Sequence, residues 1–473
     1  MNTVKKITIP RPEAFRLPAK AGAWYIVSGV LSRGIGVFGT PIFTRLLTPD
    51  EYGLFPLYNT WLSLFGVFAT LELAGGVIHR GMQKYVGRES DFMKSALALI
   101  FIVFSSFCTL YFTFSERINT LTGLGTRVTV LLLWQVFLGT LGTLYTSRCR
   151  YLYKYRTVAA FNILSSLAAP IISVAVIALT PIRAEARIVG SVATAALGAA
   201  AALLLMSREG GRVRGDMCRF LLRFNLPLLP HYLASSLILR IGEISVGRAY
   251  GRAALGKYSV AMSVGLSLTM ITNGISSALG PWLLRKIKAG RFSEISSLLL
   301  IITRALALCA ALAMCVAPEA LALITTAEYR DTLPAIYPLL LTTIPIFLSG
   351  AFTSGAMYYE KNAASSLYGV MAALIATALS LILLPYFHYT AAGIFALVAY
   401  LALAALGAVG FRRLSGVYPI SPPRALSVIS LSLLLAALLY ALRGIVISRL
   451  LFGLAFLLLL AGTAKKIYAR IRE

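Results

Sequence analysis

Runs of about 20 apolar residues, each long enough to cross the hydrocarbon core of a bilayer, recur along the whole of this 473-residue chain. That pattern excludes most folds. Backbone N–H and C=O groups in lipid must be satisfied within a helix or a closed barrel. The alternating apolar–polar strands of a barrel are absent, so the runs are expected to be helices. Fourteen spans are expected, at approximately 23–44, 54–76, 93–114, 124–146, 157–179, 187–206, 222–247, 256–282, 295–317, 335–357, 364–384, 390–410, 424–442 and 445–463. The expected fold class is an all-α polytopic membrane protein with about 14 transmembrane helices.

Lysine and arginine number 44 against 17 acidic residues, for a formal net charge of +27. A soluble chain so basic would suggest nucleic acid. Here 58% of residues are hydrophobic and 13% charged, so the cations are read as loop residues facing anionic headgroups, and no nucleic-acid partner is expected. The connections alternate in charge. One side carries Lys5, Lys6, Arg80, Lys84, Arg88, Arg148, Arg150, Lys154, Arg212, Arg214, Arg285, Lys286, Lys361, Arg412 and Lys465, and the other is sparser. The positive-inside rule then puts both termini in the cytoplasm of a multi-pass protein of the inner (plasma) membrane. Residues 1–22 read as a basic cytoplasmic lead-in, with neither the apolar core nor the cleavage site of a signal peptide. Residues 464–473 read as a basic tail.

The middle of the chain organises the rest. A basic linker at 207–221 separates comparable numbers of spans, which gives an N-lobe at 23–206 (helices 1–6) and a C-lobe at 222–413 (helices 7–12). Helices 13 and 14 at 424–463 are left as an appendix. A faint repeat supports two lobes. At an offset of 203 residues Gly39 falls on Gly242, Arg45 on Arg248, Gly53 on Gly256 and Phe55 on Tyr258. Parallel six-helix repeats place a site between the lobes near the midplane.

Enzyme chemistry is hard to find. The four aspartates (Asp50, Asp91, Asp216, Asp331) are scattered, with no DxD to hold a metal on a diphosphate. The three histidines are far apart, and the five cysteines have no CxxC spacing. GIGVFG at Gly34–Gly39 matches a dinucleotide pattern, but no strand precedes it, so it is read as close helix packing. No cofactor, metal or catalytic residue is expected. Ionisable residues inside apolar spans are costly and become the site candidates: Arg33 on helix 1, Glu72 on helix 2, Arg240 and Glu243 on helix 7, and Arg304 on helix 9. Each also has a bland reading. Arg33 and Glu72 can pair across the first hairpin. Arg240 and Glu243, three apart on one helix face, can neutralise each other. Arg304 can snorkel to the interface.

Four stretches resemble a known family. TRLLTPDEYGLFPLY at Thr44–Tyr58 is similar to the segment after the first helix of polysaccharide-type (Wzx-like) flippases of the multidrug/oligosaccharidyl-lipid/polysaccharide (MOP) exporter superfamily. LLRFNLPLLPHYLASSL at Leu221–Leu237 resembles the start of their seventh helix, and ALGKYSVAMSV at Ala254–Val264 the next. The stretch 359–401 resembles helices 11 and 12. Relatives often carry an Asp-Arg pair late in helix 7, where this chain has Gly242-Glu243 and its arginine, Arg240, one turn earlier. The resemblance implies two six-helix lobes around a central cavity, plus two C-terminal helices. It also implies alternating-access export of an undecaprenyl-diphosphate-linked oligosaccharide.

On that reading Arg33 and Arg240 face the cavity and hold the diphosphate, because a guanidinium offers phosphate a forked set of donors. The expected partners are the lipid-linked oligosaccharide and membrane lipids, with a polysaccharide polymerase as a further option. The protein is expected to be a monomer. Two other functions are carried alongside. A cation-coupled small-molecule or multidrug exporter of the same fold would use Glu72 and Glu243. A membrane glycosyltransferase or polymerase would need a catalytic outer loop, and the longest here, Ala317–Pro334, is short.

Overall fold

The computed structural model describes residues 12–207, 210–358 and 362–472. Lys5, Lys6 and Lys361 of the basic set lie outside the described residues. Among these the chain is helical and contains no strand. The first half runs α1 (Pro12–Leu46), α2 (Pro49–Thr70), α3 (Gly76–Lys84), α4 (Glu89–Thr113), α5 (Ser115–Thr122), α6 (Thr126–Tyr151), α7 (Tyr155–Leu179), α8 (Ala186–Ser207) and α9 (Gly215–Asn225). The second half runs α10 (Leu229–Gly265), α11 (Thr269–Lys288), α12 (Phe292–Ile324), α13 (Leu333–Leu341), α14 (Thr343–Tyr358), α15 (Asn362–Ala378), α16 (Ala392–Ser415), α17 (Pro422–Ala441) and α18 (Val446–Arg472). Ten helical stretches among the described residues are long and apolar enough to cross a membrane, or 11 if one bent pair counts as a single span. The protein is an all-α polytopic membrane protein. The chain divides into two compact units, Met1–Phe38 with Phe65–Leu229, and Gly39–Leu64 with Pro230–Glu473.

In the first unit the expected linker is not an open connection. Its second part folds as α9, whose Met217 and Leu221 are buried with Val77, Ile78 and Met82 of α3 and Phe92 and Met93 of α4. Both short helices are amphipathic, with apolar residues recurring at helical spacing on the covered face. Their outer faces are joined by cations over rings: Lys84 Nζ lies 4.4 Å from the Phe220 ring centre and the Arg80 guanidinium 5.4 Å from that of Phe224. Helix α2 ends at Thr70, earlier than the span expected to 76. Leu71 (φ 49°) and Glu72 (φ 52°) follow in the left-handed region, which costs side-chain-bearing residues about 1–3 kcal/mol each. Asn225 Nδ2 donates to the Leu71 carbonyl at 3.0 Å and holds that turn. Glu72 therefore sits in a turn beyond helix 2 rather than on it.

In the second unit the entry to α2 is a capping box. Thr48 Oγ1 accepts from the Glu51 N–H at 3.3 Å, and Glu51 Oε2 accepts from the Thr48 N–H at 2.9 Å. Pro49 fills the first helical position, where a missing N–H costs nothing. The same segment closes the end of α12: Thr44 Oγ1 donates to the Ile324 carbonyl at 3.0 Å and Arg45 Nη2 to that of Leu323 at 3.1 Å. Last-turn carbonyls have no partner of their own, so these donors satisfy them. Helix α10 is interrupted at Gly251 (φ 80°, ψ −179°), which separates the expected helices 7 and 8.

The stretch Ala317–Pro334, expected to be the longest outer loop, is not a loop throughout. Helix α12 continues to Ile324, and a 3-10 turn covers Ala327–Thr332. Pro318 lies inside α12. A proline cannot donate to the carbonyl four residues back and crowds that turn. The Met314 carbonyl accepts instead from Tyr337 Oη at 3.4 Å, and the Cys315 carbonyl from Arg449 Nη1 at 2.8 Å. Arg449 also grips Glu319 with two bonds of 2.6 Å. Its side chain is 5% exposed against 51% for Glu319. Helix α18 thus supplies the cation that takes up a carbonyl freed by the proline in α12.

Candidate functional site

Two of the five site candidates meet, and both lie on α10 in the second unit. Arg240 and Glu243 are one turn apart, and Arg240 Nη1 donates to Glu243 Oε2 at 2.8 Å. Helix α2 supplies a third member that sequence reasoning missed. The Thr60 hydroxyl, wholly buried, donates to the same oxygen at 2.8 Å. The carboxylate is deep, with 5% of its side chain exposed, whereas the guanidinium keeps 25%. Buried carboxylates persist when paired and hydrogen-bonded, and here one residue of each kind does so. The Arg240 Nε–H, in contrast, is buried and makes no hydrogen bond. The guanidinium is anchored to the carboxylate through Nη1 and stays one-quarter exposed. Behind it Gly242, Tyr258 and Tyr400 border a narrow cleft with room for about one water (≈ 10 Å³).

The other candidates do not join this group. Arg304 is exposed on α12 of the same unit. Glu72 is half-buried in the turn after α2, in the first unit. Arg33 lies on α1, and its side chain is outside the described residues, so the expected Arg33–Glu72 pair lies outside them too. Thr60 carried no usable signal, because a threonine within an apolar run ordinarily bonds back to its own helix, as Thr70 does to the Gly66 carbonyl at 2.8 Å.

The two segments related by the 203-residue offset also meet. A Cβ on Gly53 would collide with the Arg252 carbonyl oxygen, and one on Gly256 with the Pro49 carbonyl oxygen. Pro49 and Arg252 are themselves 203 apart, so each glycine packs on the counterpart of its partner's neighbour. Such reciprocity is the mark of a two-fold related contact. Only glycine allows two helix starts so close. Beside them Arg252 Nη2 and Asp50 Oδ2 pair at 3.0 Å.

The sequence profile of a family described as "Polysaccharide biosynthesis protein" matches residues 19–287, more than half of the chain. The chain belongs to that family. Among solved structures this family member is similar to one described as "Lipid II flippase MurJ, inward closed conformation", with 13% identity and a TM-score of 0.66, covering 93% of this chain and 98% of that one. It is also similar to a multidrug resistance MATE family transporter of the MOP superfamily in an inward-facing conformation, with 13% identity and a TM-score of 0.61, covering 81% and 95%. A third is a MOP superfamily transporter from Pyrococcus furiosus, at 12% identity and a TM-score of 0.56, covering 84% and 95%. The chain shares the fold of that superfamily. No curated protein sequence matches it.

Proposed function

We propose that this polysaccharide biosynthesis protein is a flippase. It carries an undecaprenyl-diphosphate-linked oligosaccharide from the inner to the outer leaflet of the inner membrane by alternating access, for surface polysaccharide assembly. The observation that carries the reading is Arg240. A guanidinium held through one nitrogen by a buried carboxylate, with a quarter of its side chain still exposed, is a fixed cationic donor for an oxyanion. Family membership and the likeness to a lipid II flippase support the same class of cargo. In this reading the lobes 23–206 and 222–413 move against each other, and Arg33 supplies the second cation. No catalytic residue takes part, and the protein acts as a monomer with its termini in the cytoplasm.

The likeness to MATE transporters keeps the cation-coupled exporter as a second reading, with Glu243 as the exchanging carboxylate. The pairing of Glu243 with both Arg240 and Thr60 favours the flippase. One oxygen of that carboxylate already accepts from both the guanidinium and the hydroxyl, whereas an exchanger needs its carboxylate open to the exchanged cation. The test is export in a strain lacking the protein, complemented with Arg240→Ala or Arg33→Ala expressed at normal levels. Loss of surface glycan with accumulation of lipid-linked intermediate is expected for both. Full restoration by both variants would sink the diphosphate clamp. Drug efflux abolished by Glu243→Gln, with glycan unaffected, would establish the exporter instead.

A further inference from the structure

The segment Gly39–Leu64 lies in the first half of the chain yet packs in the second unit. Its tip is held by Thr44 and Arg45 on the last carbonyls of α12, by Asp50 on Arg252 and by Gly53 against the Arg252 backbone. Tyr52 adds a buried edge-to-face contact with Tyr329, ring centres 6.1 Å apart at 78°. About two turns farther along α2, the same segment reaches the charged pair. There Thr60 and Arg240 both donate to one oxygen of Glu243.

That shared oxygen ties two things together. Glu243 and Thr60 are both buried, and a buried carboxylate that loses a donor pays a desolvation penalty. The Thr60 bond therefore favours the packed position of the whole segment. In the other direction, the packed segment fixes the carboxylate, and the carboxylate fixes Arg240.

We propose that Gly39–Leu64 is a detachable strap whose packing is coupled, through the Thr60 hydroxyl, to the Glu243–Arg240 pair. The coupling rests on geometry, and its use in transport rests on the flippase reading. On that reading the strap belongs to the lobe 23–206 and packs among residues of the lobe 222–413, so alternating access strips it off. Stripping takes a donor from Glu243, loosens the anchor of Arg240 and weakens its hold on an anion at the stage when cargo leaves. Coupling between two equilibria is reciprocal, so a diphosphate bound at Arg240 favours the packed strap by the same factor.

Amide hydrogen exchange of the full chain in neutral detergent, read over residues 44–58, tests it. Thr60→Val should speed exchange across that stretch roughly ten-fold or more, as expected for losing a hydrogen bond to a charged group. Thr60→Ser should stay close to the unaltered protein. A merely local role for the hydroxyl would leave the distant amides around Thr48 unmoved. In a Glu243→Gln background the Thr60→Val step should be several-fold smaller, because the two changes act on one bond. A short-chain isoprenyl diphosphate should slow exchange over 44–58 in the unaltered protein and much less in Thr60→Val. Unchanged exchange in Thr60→Val, or an equal step with and without Glu243, overturns the proposal. So does an equal diphosphate effect in Thr60→Val and the unaltered protein. A Glu243-dependent step with no diphosphate response in either protein supports the strap and counts against the diphosphate reading instead. If Thr60→Val does not fold, Glu243→Gln decides, and exchange over 44–58 equal to that of the unaltered protein overturns the proposal.

Discussion

Arg240 and Glu243 lie one turn apart on α10, and that spacing decides what each can do. The carboxylate is the deeper partner, so it fixes the guanidinium more than it competes with an external anion. Arg240→Ala removes a charge-assisted donor worth about 1.5–3 kcal/mol, so export should fall roughly 10- to 100-fold in a glycan assay. Arg240→Lys should keep part of the rate, because charge survives and the fork does not. Glu243→Gln should weaken the anchor while raising the local positive charge, and Thr60→Val should mimic it mildly. A Thr60→Val variant less active than Arg240→Ala would show that the hydroxyl, not the cation, carries the site. The candidacy of Arg240 and Glu243, and their capacity to pair, were legible in the sequence, because ionisable residues within an apolar run stand out by their cost. Thr60 was not legible, because a mid-helix hydroxyl looks the same whether it serves its own backbone or a neighbour's carboxylate.

At the scale of elements, the helices were legible because lipid leaves few alternatives for a 20-residue apolar run. Their ends were not. Pro318 and Glu319 look like a loop start, yet α12 runs on to Ile324 because Tyr337 and Arg449 take up the carbonyls around the proline. The turn at Leu71 and Glu72 was equally hidden, since its support, Asn225, lies 154 residues away. The Arg449–Glu319 pair makes an asymmetric prediction. Glu319→Ala strands a buried cation and should destabilise by about 3–5 kcal/mol. Arg449→Met leaves the exposed member and should cost less, about 1–3 kcal/mol. The double variant should be more stable than Glu319→Ala alone. Melting temperatures in detergent check the order, and Arg449→Met proving the worse of the two singles would contradict it.

At the scale of the whole molecule, the alternating basic connections predict an orientation. A cysteine placed at Ala184 should label from outside intact cells, and one at Gly290 should not. Labelling at Gly290 from outside would reverse the topology. Cysteines at Asp50 and Arg252, whose side chains pair at 3.0 Å, should be joined by a short reducible thiol cross-linker that stops export until it is cleaved. Unimpaired export in the cross-linked protein would mean that this contact never opens. The lobe division was suggested by the central basic linker, but sequence could not show that Gly39–Leu64 packs with the later residues, because contact across the chain leaves no local pattern. The contact at Gly53 and Gly256 has an evolutionary corollary. A surface that meets its own copy is what a homodimer of half-length chains would need, so a duplicated and fused ancestor would have carried this joint before it had a single chain. Fusion then releases the two copies from identity. The positions equivalent to Arg240 and Glu243 are Val37 and Thr40, so the joint kept its symmetry while this ion pair came to lie on one copy alone.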